Sequence, residues 1–320
     1  MLNKVLVVRF SSLGDVVLTS LAVRCLKKQL GCEIHYLTKK SFHGVLKANP
    51  YIDKIYLIDH SVNEIISDLR NEKYDLIVDL HKNLRSLILK AKFWNIPSVT
   101  YQKGNMAKWL SVYFKVNRFS KTHIALKYLK SVEKYKVKDD GEGLDYFIPD
   151  DEIVSLESFN INSPYVALVI GAAHFTKRIP EIKLFEIVEI IKPNFKIVVI
   201  GGKAEKELGE KLVQKGVFNT CGMLSISQSA SLLNQSHMVI TPDTGMMHIA
   251  AALKKPIRSI WGSTLAEFGF WPLYGENHND LNKSFEVRLP CRPCARFGKE
   301  FCPKGHFDCM LKQDFTNILA

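Results

Sequence analysis

Hydrophobic residues in the first half of the chain form short β-branched runs that alternate with longer amphipathic segments. The apolar runs predict strands over residues 4–10, 33–37, 54–58 and 74–80. Between them, apolar residues recur at helical spacing over 16–30, 42–48, 63–71 and 84–93. This rhythm predicts βαβ units and a parallel sheet. Residues 101–135, which are basic and aromatic, are predicted to be helical.

A second alternation begins after two polar stretches, residues 136–142 and Pro149-Asp-Asp. Strands are predicted over 165–170, 196–200, 238–241 and 257–261. Helices are predicted over 180–191, 204–215, 227–235 and 246–254, with a tail helix over 308–318. We therefore predict an α/β fold of two Rossmann-like, doubly wound domains, with residues 1–155 forming the first and residues 156–320 the second.

The composition, 47% hydrophobic and 24% charged, is typical of a soluble globular protein. No apolar run approaches the roughly 18 residues that span a bilayer. Arg9 and Asp15 interrupt the first apolar stretch, which indicates a buried strand and not a signal peptide. We therefore expect a cytoplasmic location. The net charge of +12 favours an anionic partner, such as a phosphorylated glycolipid, a membrane surface or nucleic acid; a solvated basic surface is the alternative.

The first candidate site is the segment Arg-Phe-Ser-Ser-Leu-Gly-Asp at residues 9–15, where the first strand ends. Ligands of doubly wound sheets bind at the carboxyl ends of strands. Gly14 permits close approach of a ligand, Ser11 and Ser12 line the loop, and Asp15 is expected at the start of the helix. The alternative is that Ser12 or Asp15 only caps that helix.

The second candidate site is Thr-Pro-Asp-Thr-Gly-Met-Met-His at residues 241–248, between a strand and a helix rich in small residues. Such a junction directs backbone N–H groups and the positive end of a helix dipole at one point, which suits a phosphate. Asp243 is a candidate for binding sugar hydroxyls, and Thr244 and Gly245 for binding phosphate. His248, one turn further on, has a structural alternative.

Two further loops follow predicted strands of the second half. Lys177 and Arg178, in the loop over 171–180, are candidates for clamping a diphosphate, with a solvated loop as the alternative. Glu205, after a glycine pair, is a candidate for ribose or sugar hydroxyls, or an ordinary partner of the helix dipole. The sequence has no G-x-G-x-x-G, no P-loop motif and no D-x-D. These absences argue against binding of NAD, P-loop chemistry and a metal-chelated nucleotide diphosphate.

Four of the seven cysteines lie close together near the end of the chain, with a histidine among them: Cys291, Cys294, Cys302, His306 and Cys309. Thiolate and imidazole are ligands of zinc and iron. Their spacing matches no standard zinc knuckle or ribbon. A structural metal site and a cluster of reduced thiols are both open, and disulfides are not expected in a cytosolic chain.

Taken together, these motifs resemble glycosyltransferase family 9, the ADP-heptose:lipopolysaccharide heptosyltransferases, over nearly the whole chain. The resemblance rests on R-F-S-S-L-G-D-V, T-K-R-I-P, P-D-T-G-x-x-H and the C-x-P-C tail with its later C-P-x-G-H-x-x-C. It implies a GT-B fold, two Rossmann-like domains facing each other across a cleft. It also implies inverting chemistry that needs no metal and no cofactor besides the nucleotide-sugar donor, expected to be ADP-heptose.

The resemblance also implies a role for each site residue. Asp15 is expected to be the general base, and Thr176, Lys177 and Arg178 to neutralise the departing diphosphate. The remaining positions would bind the ribose (Glu205), the donor sugar (Asp243) and the phosphates (Thr244 and Gly245), with His248 supporting the turn.

The implied acceptor is an anionic glycolipid, the lipopolysaccharide or lipooligosaccharide core, at the cytoplasmic face of the inner membrane. The enzyme would contact that membrane peripherally. We expect a basic face to serve this acceptor, formed by Lys103, Lys108, Lys115 and Arg118.

Two other functions stay open. One is a non-catalytic module that binds sugar nucleotides or glycans on the same fold, although the joint presence of Asp15, Lys177 and Asp243 argues against it. The other is nucleic-acid binding, which the charge alone suggests. The sequence shows no nucleic-acid motif and no concentrated basic stripe.

Overall fold

In the computed structural model, which describes residues 2–115, 120–159, 161 and 164–320, the chain divides into two compact units. The first comprises Met1–Lys103 and Thr122–Pro149, and the second comprises Gly104–Lys121 and Asp150–Ala320. The division thus falls at residues 149 and 150, and one internal segment of the first half belongs to the second unit. Among the described residues, no helix is both long and apolar enough to cross a bilayer.

The first unit is a five-stranded sheet in the order β3-β2-β1-β4-β5, with every neighbouring pair parallel. Its strands are β1 (Lys4–Val8), β2 (Glu33–Lys39), β3 (Lys54–Ile58), β4 (Leu76–Asp79) and β5 (Ser98–Thr100). The helices of the first half are α1 (Leu13–Leu18), α2 (Ser20–Leu30), α3 (His43–Leu46), α4 (Ile66–Asn71), α5 (Leu84–Lys92), α6 (Asn105–Phe114) and α7 (Ile124–Lys130). Of these, α6 belongs to the second unit.

The central strand β1 is apolar and buried along its length after Lys4, as expected for a parallel sheet covered on both faces. The single helix predicted over 16–30 is instead two helices that meet at Thr19. The Thr19 hydroxyl lies 2.7 Å from the Val16 carbonyl oxygen, to which it donates, and 2.8 Å from the Tyr36 hydroxyl. This buried side chain holds the junction between α1 and α2 against the sheet.

The second unit is a six-stranded parallel sheet in the order β11-β10-β9-β6-β7-β8. Its strands are β6 (Tyr165–Val169), β7 (Lys196–Ile200), β8 (Phe218–Asn219), β9 (Met238–Pro242), β10 (Ile257–Trp261) and β11 (Asn282–Glu286). Its remaining helices are α8 (Glu181–Ile191), α9 (Lys206–Val213), α10 (Ile226–Gln235), α11 (Gly245–Ala252) and α12 (Asp308–Leu311). Counted within the unit, this is the 3-2-1-4-5-6 order of dinucleotide-binding sheets.

The tail helix predicted over 308–318 is wrong beyond Leu311, where α12 ends. The side-chain amide of Gln313 turns inward and donates to the carbonyl oxygens of Trp261 and Cys309, at 3.1 and 2.9 Å. Phe315 and Ile318 are then buried in the core of the second unit. The tail therefore packs as an anchored loop on β10 rather than as an amphipathic helix.

The helical segment predicted over 101–135 is two helices, and they belong to different units. Lys108, only 3% exposed, donates to the carbonyl oxygen of Phe268. Lys115 donates to the carbonyl oxygens of Cys291 and Pro293, at 2.9 and 2.8 Å. Because these cations find their acceptors in the second unit, α6 packs there while α7 packs in the first.

Candidate functional site

The carboxylate of Asp15 lies just beyond β1, in the first turn of α1. Its Oδ2 atom is 2.7 Å from Nη2 of Arg9 and 2.8 Å from the Ser12 hydroxyl, which donates to it. The backbone N–H of Ser12 also donates to Oδ2, at 3.3 Å, so Asp15 does cap the helix. The other oxygen, Oδ1, accepts a hydrogen bond from the Tyr128 hydroxyl at 3.0 Å. The side chain nevertheless stays 20% exposed, so capping leaves it open to a ligand.

Arg9 decides the charge of this site. Burial alone would raise the pKa of Asp15, but the positive charge of Arg9 and the hydrogen bonds from Ser12 and Tyr128 outweigh it and hold that pKa below its usual value. Arg9 itself is buried, and its pKa is raised despite that burial because Tyr128 and Asp15 lie beside it. The Asp15 carboxylate is therefore ionised at neutral pH and can accept a proton.

Two partners of Asp15 were not among the residues predicted for the site. Arg9 is fixed by its own contacts, since Nε donates to the Ser11 carbonyl at 2.6 Å and Nη1 to the Leu80 carbonyl at 2.5 Å. Its guanidinium also lies 5.5 Å from the centre of the Tyr128 ring, within cation–π range. Arg9 stood inside the motif, whereas Tyr128 lies 113 residues away on α7 and has no local signal.

His81 is a further group of this region that the sequence did not single out. It follows β4, and its ring packs edge-on against Phe10 with centroids 5.2 Å apart. Burial, together with the charges of Arg9 and Lys103, lowers the pKa of His81 to about 4. The imidazole is therefore neutral at neutral pH and adds no charge beside Asp15.

In the second unit, Lys177 and Asp243 form an ion pair. Nζ of Lys177 is 2.7 Å from Oδ2 of Asp243, and the Thr264 hydroxyl donates to the same oxygen at 2.8 Å. The three residues follow β6, β9 and β10, which are neighbours in the parallel sheet. Their meeting at one edge is a direct result of that topology, because the carboxyl ends of neighbouring parallel strands lie together.

The amino terminus of α11 lies immediately after Asp243. Thr244 is its N-cap residue and Gly245 its first residue, and both are partly exposed. The helix dipole and unpaired N–H groups at such a terminus favour an anion. His248 is buried deeper in α11, with its ring 6.3 Å from that of Phe270. Its supporting role stays a prediction.

Glu205 lies over the carboxyl ends of β6 and β7. Its Oε2 accepts from the Gly202 backbone N–H at 2.9 Å, which fits the helix-cap alternative. A Cβ atom at Gly171 would come within 3.1 Å of that oxygen, so glycine there makes room for the carboxylate at this edge. The carboxylate is partly exposed, and its binding of ribose stays a prediction.

Thr176 and Arg178, also predicted to contact the diphosphate, make hydrogen bonds to neighbouring loops. Thr176 is 1% exposed, and its hydroxyl accepts hydrogen bonds from the Lys299 backbone N–H at 2.8 Å and from the Ser263 hydroxyl at 2.9 Å. It anchors the loop that carries Lys177. Arg178 is exposed and donates through Nε to the Ala172 carbonyl at 3.0 Å.

The described residues of the expected basic face belong to both units. Lys103 belongs to the first unit and donates to the Lys82 carbonyl at 2.8 Å. The ammonium groups of Lys108 and Lys115 turn to carbonyl oxygens of the second unit, as described above, and Arg118 lies outside the described residues. Lys108 is buried and therefore does not contribute to an exposed basic surface.

The four clustered cysteines are free thiols. Sγ of Cys291 lies 3.9 Å from Nε2 of His306, and burial together with the neighbouring thiols raises the pKa of Cys309 to about 12. Arg292 fastens this loop to the end of β10 by donating to the carbonyl oxygens of Gly262 and Thr264, at 2.6 and 2.9 Å. The donor atoms suit a metal, and among them Cys291 and His306 lie closest to the separation of two ligands on one ion, but within the described residues these side chains do not form a group of three within 4.8 Å.

Within the described part of the chain, three potential metal ligands come within 4.8 Å of one another only at Glu33, His35 and Glu72. Lys4 and Lys54 form ion pairs with the Glu72 carboxylate, with N–O distances of 2.7 and 2.6 Å. This cluster is therefore an ion-pair network at the amino ends of the strands, at the edge opposite Asp15.

Comparison with known proteins identifies the family. The model of glycosyltransferase family 9 (heptosyltransferase) matches residues 62–301. Lipopolysaccharide heptosyltransferase 1 of Campylobacter coli is 24% identical over 289 residues, which are 82% of this chain and 84% of that protein.

Solved structures show the same architecture. The family 9 glycosyltransferase of Veillonella parvula superposes with a TM-score of 0.73 at 21% identity, covering 88% of this chain and 86% of that one. The ADP-heptose lipopolysaccharide heptosyltransferase II of Escherichia coli has a TM-score of 0.70 at 18% identity, covering 97% and 98%.

A third solved structure has the same fold. TibC of enterotoxigenic Escherichia coli, described as an iron-containing dodecameric glycosyltransferase, has a TM-score of 0.61 at 13% identity and covers 97% of this chain and 72% of that one. With two Rossmann-like parallel sheets and a family match over well over half of its length, the chain belongs to glycosyltransferase family 9 and is a glycosyltransferase with the GT-B fold.

Proposed function

We propose that this enzyme transfers a heptose, or a related sugar, from an ADP-sugar donor to the core of a lipopolysaccharide or lipooligosaccharide acceptor. The names of the relatives supply the substrate classes. The observation that carries the proposal is the state of Asp15, an ionised and partly exposed carboxylate at the carboxyl end of β1. The acceptor would be reached at the cytoplasmic face of the inner membrane.

In the proposed reaction, Asp15 acts as the general base. Its Oδ1, held by Tyr128 alone, accepts the proton of an acceptor hydroxyl as that oxygen attacks the anomeric carbon of the donor. The bond from the anomeric carbon to the diphosphate oxygen breaks, and its electron pair leaves with the ADP. Attack on the face opposite the leaving group inverts the configuration. No metal takes part in this step.

The groups of the second unit stabilise the leaving diphosphate. Lys177 exchanges Asp243 for phosphate oxygens, and the Thr244–Gly245 turn offers the amino terminus of α11. Arg178, exposed beside Lys177, adds a second cation. Thr176 contributes indirectly, because its saturated hydroxyl fixes the backbone from which Lys177 extends.

The rest of the donor is bound by carboxylates. Glu205, at the ends of β6 and β7, accepts from the ribose hydroxyls. Asp243, released by Lys177, accepts from the hydroxyls of the transferred sugar while Thr264 holds its position. His248 supports the turn from behind.

The thiol cluster is proposed to be structural. Cys291, Cys294, Cys302 and Cys309, with His306 beside Cys291, have the donor chemistry of an iron or zinc site, and a bound ion would cross-link the tail. Elemental analysis of the purified protein tests this directly. A metal content near one per chain that is lost in Cys294→Ser, with a lower melting temperature, supports the site. Metal-free protein with an unchanged melt supports reduced thiols.

Titration calorimetry tests the function. ADP and ADP-heptose are compared with GDP-mannose and UDP-glucose on the parent protein and on Asp15→Ala and Lys177→Ala. Selective binding of the ADP ligands that Lys177→Ala weakens and Asp15→Ala retains is the expected result. Nucleotide binding without any transfer to a core saccharide would instead favour the non-catalytic module.

A further inference from the structure

The helix α5 exposes an apolar stripe to solvent. Leu84, Leu87 and Ile88 are 71%, 58% and 39% exposed, although the spacing i, i+3, i+4 is that of a core-facing stripe. The opposite side of the helix, which carries Ser86 and Leu89, is the side that packs on the first unit. The exposed Leu84, Leu87 and Ile88 therefore occupy positions that are usually polar in a surface helix.

The stripe continues past the end of α5 to Trp94, which is 85% exposed. Residues 81–96 include four basic side chains and no aspartate or glutamate. Lys82 and Lys92 are exposed at the two ends of the helix. A short helix with outward aliphatic residues, a flanking tryptophan and flanking lysines has the composition of segments that lie in a membrane interface.

The loop beside α5 carries two carboxylates: Glu64, which keeps its negative charge, and Asp59, whose charge Lys40 balances. The loop at His60 adjoins the helix, because Nε of Arg85 donates to its carbonyl at 3.0 Å. In that loop, Glu64 accepts three backbone N–H groups, and Asp59 pairs with Lys40. Lys90 pairs with the buried Asp79, on the inner side.

We infer that the outward stripe of α5, with Trp94 and the flanking Lys82 and Lys92, docks on a bilayer that carries anionic headgroups. The aliphatic side chains enter the acyl boundary, the indole lies at headgroup level, and the lysines meet the negative surface potential. The matching of a basic, acid-free segment to an acidic surface selects this occupant over a second copy of a chain whose net charge is itself +12.

The position of the stripe ties it to the catalytic edge of the first unit. The helix begins just after β4, whose carboxyl end lies beside that of β1 and Asp15. A bilayer under α5 would therefore hold a lipid-linked acceptor close to the proposed base. This part of the inference rests on the proposed function, whereas the docking itself does not.

The test is co-sedimentation with vesicles of phosphatidylcholine alone and mixed with phosphatidylglycerol. The variant Leu84→Gln/Leu87→Gln/Trp94→Ala is compared with Ile182→Gln/Met223→Gln, which alters exposed apolar residues of the second unit. We expect the parent and the control to bind the anionic vesicles, and the α5 variant to bind at least about tenfold more weakly. The Trp94 environment gives a second readout, a blue shift of fluorescence on binding that Trp94→Phe abolishes.

Equal binding by all three proteins would overturn the inference, and so would absence of binding by the parent. A concentration-dependent dimer that the α5 variant loses, seen by sedimentation without lipid, would identify a second copy as the occupant and also overturn it. Turnover on a soluble core saccharide separates the two proposals. The α5 variant should keep that turnover. A parent protein that binds vesicles but transfers no sugar would refute the proposed function and leave the docking proposal standing.

Discussion

Two aspartates, Asp15 and Asp243, occupy matching places in the two units, each at the carboxyl edge of a parallel sheet with a cation 2.7 Å away. The cations differ. Arg9 also donates hydrogen bonds to the carbonyl oxygens of Ser11 and Leu80. Lys177 is a flexible stem whose charged partner, within the described residues, is Asp243.

The difference shows that equal ion-pair distances do not imply equal functions. A planar guanidinium fixed at several points cannot leave its carboxylate without losing all those bonds, so Arg9 maintains the charge of Asp15. A lysine ammonium is a mobile point charge that can move to a stronger anion. The first pair thus suits the base proposed above, and the second suits the proposed exchange of Asp243 for a diphosphate.

The largest effect is expected for Asp15→Asn. Loss of the base should lower kcat by about 10²–10⁴-fold while calorimetry shows unchanged donor affinity. Asp59→Asn, which removes a carboxylate from the exposed pair with Lys40, is the control and should keep full turnover. A fully active Asp15→Asn enzyme would remove the basis of the comparison.

Lys177→Ala is expected to act on the donor instead. Loss of a charge-assisted contact to the diphosphate should raise the KM for the nucleotide sugar by about 10–100-fold, because such bonds contribute about 1.5–3 kcal/mol. Lys211→Ala, which breaks the exposed pair with Glu181, provides the matched control. An unchanged KM would place the diphosphate elsewhere.

Exchanging the two cations tests the contrast itself. Arg9→Lys keeps the charge but loses the contacts with the carbonyl oxygens of Ser11 and Leu80. Urea denaturation should therefore show a free energy of unfolding that is lower by about 2–4 kcal/mol. Lys177→Arg keeps the positive charge beside Asp243 and should lower the free energy of unfolding by less than about 1 kcal/mol. Equal losses for the two variants would show that the pairs are alike.

The smallest effect is expected for Tyr128→Phe, measured as the pH dependence of kcat/KM. If Asp15 is the base, as proposed, it acts in its ionised form, so activity should fall as the pH drops through its pKa. Removing the hydroxyl that donates to Oδ1 raises that pKa, and the acidic limb should move to higher pH by about one unit. Tyr274→Phe, which removes a buried hydroxyl from the second unit, should leave the limb in place.

Much of the fold could be predicted because its signals are local. The β-branched runs and helical periodicity identified β1 to β4, β6, β7, β9 and β10, and their ends marked where Asp15 and Asp243 stand. The strands β5, β8 and β11 are short or polar and carry no such signal.

The rest of the site depends on contacts between distant residues. Tyr128 reaches Asp15 from α7, and the Thr176 hydroxyl is saturated by a backbone group of Lys299, 123 residues away. Both helices of residues 101–135 carry lysines, and contacts such as that of Lys108 with the Phe268 carbonyl, 160 residues away, place α6 in the second unit. The periodicity of apolar residues gives no information about such acceptors.

The placement of α6 has a consequence for dissecting the molecule. Because residues 104–121 belong to the second unit, the chain passes between the units three times, near residues 103, 121 and 149. A single cut at 149 therefore cannot yield two intact halves: the amino-terminal fragment would carry a helix with no partner, and the carboxyl-terminal fragment would expose the carbonyl oxygens that Lys108 and Lys115 normally cover. The two fragments should be soluble together and poorly soluble apart, which makes this protein a natural scaffold for split-enzyme complementation.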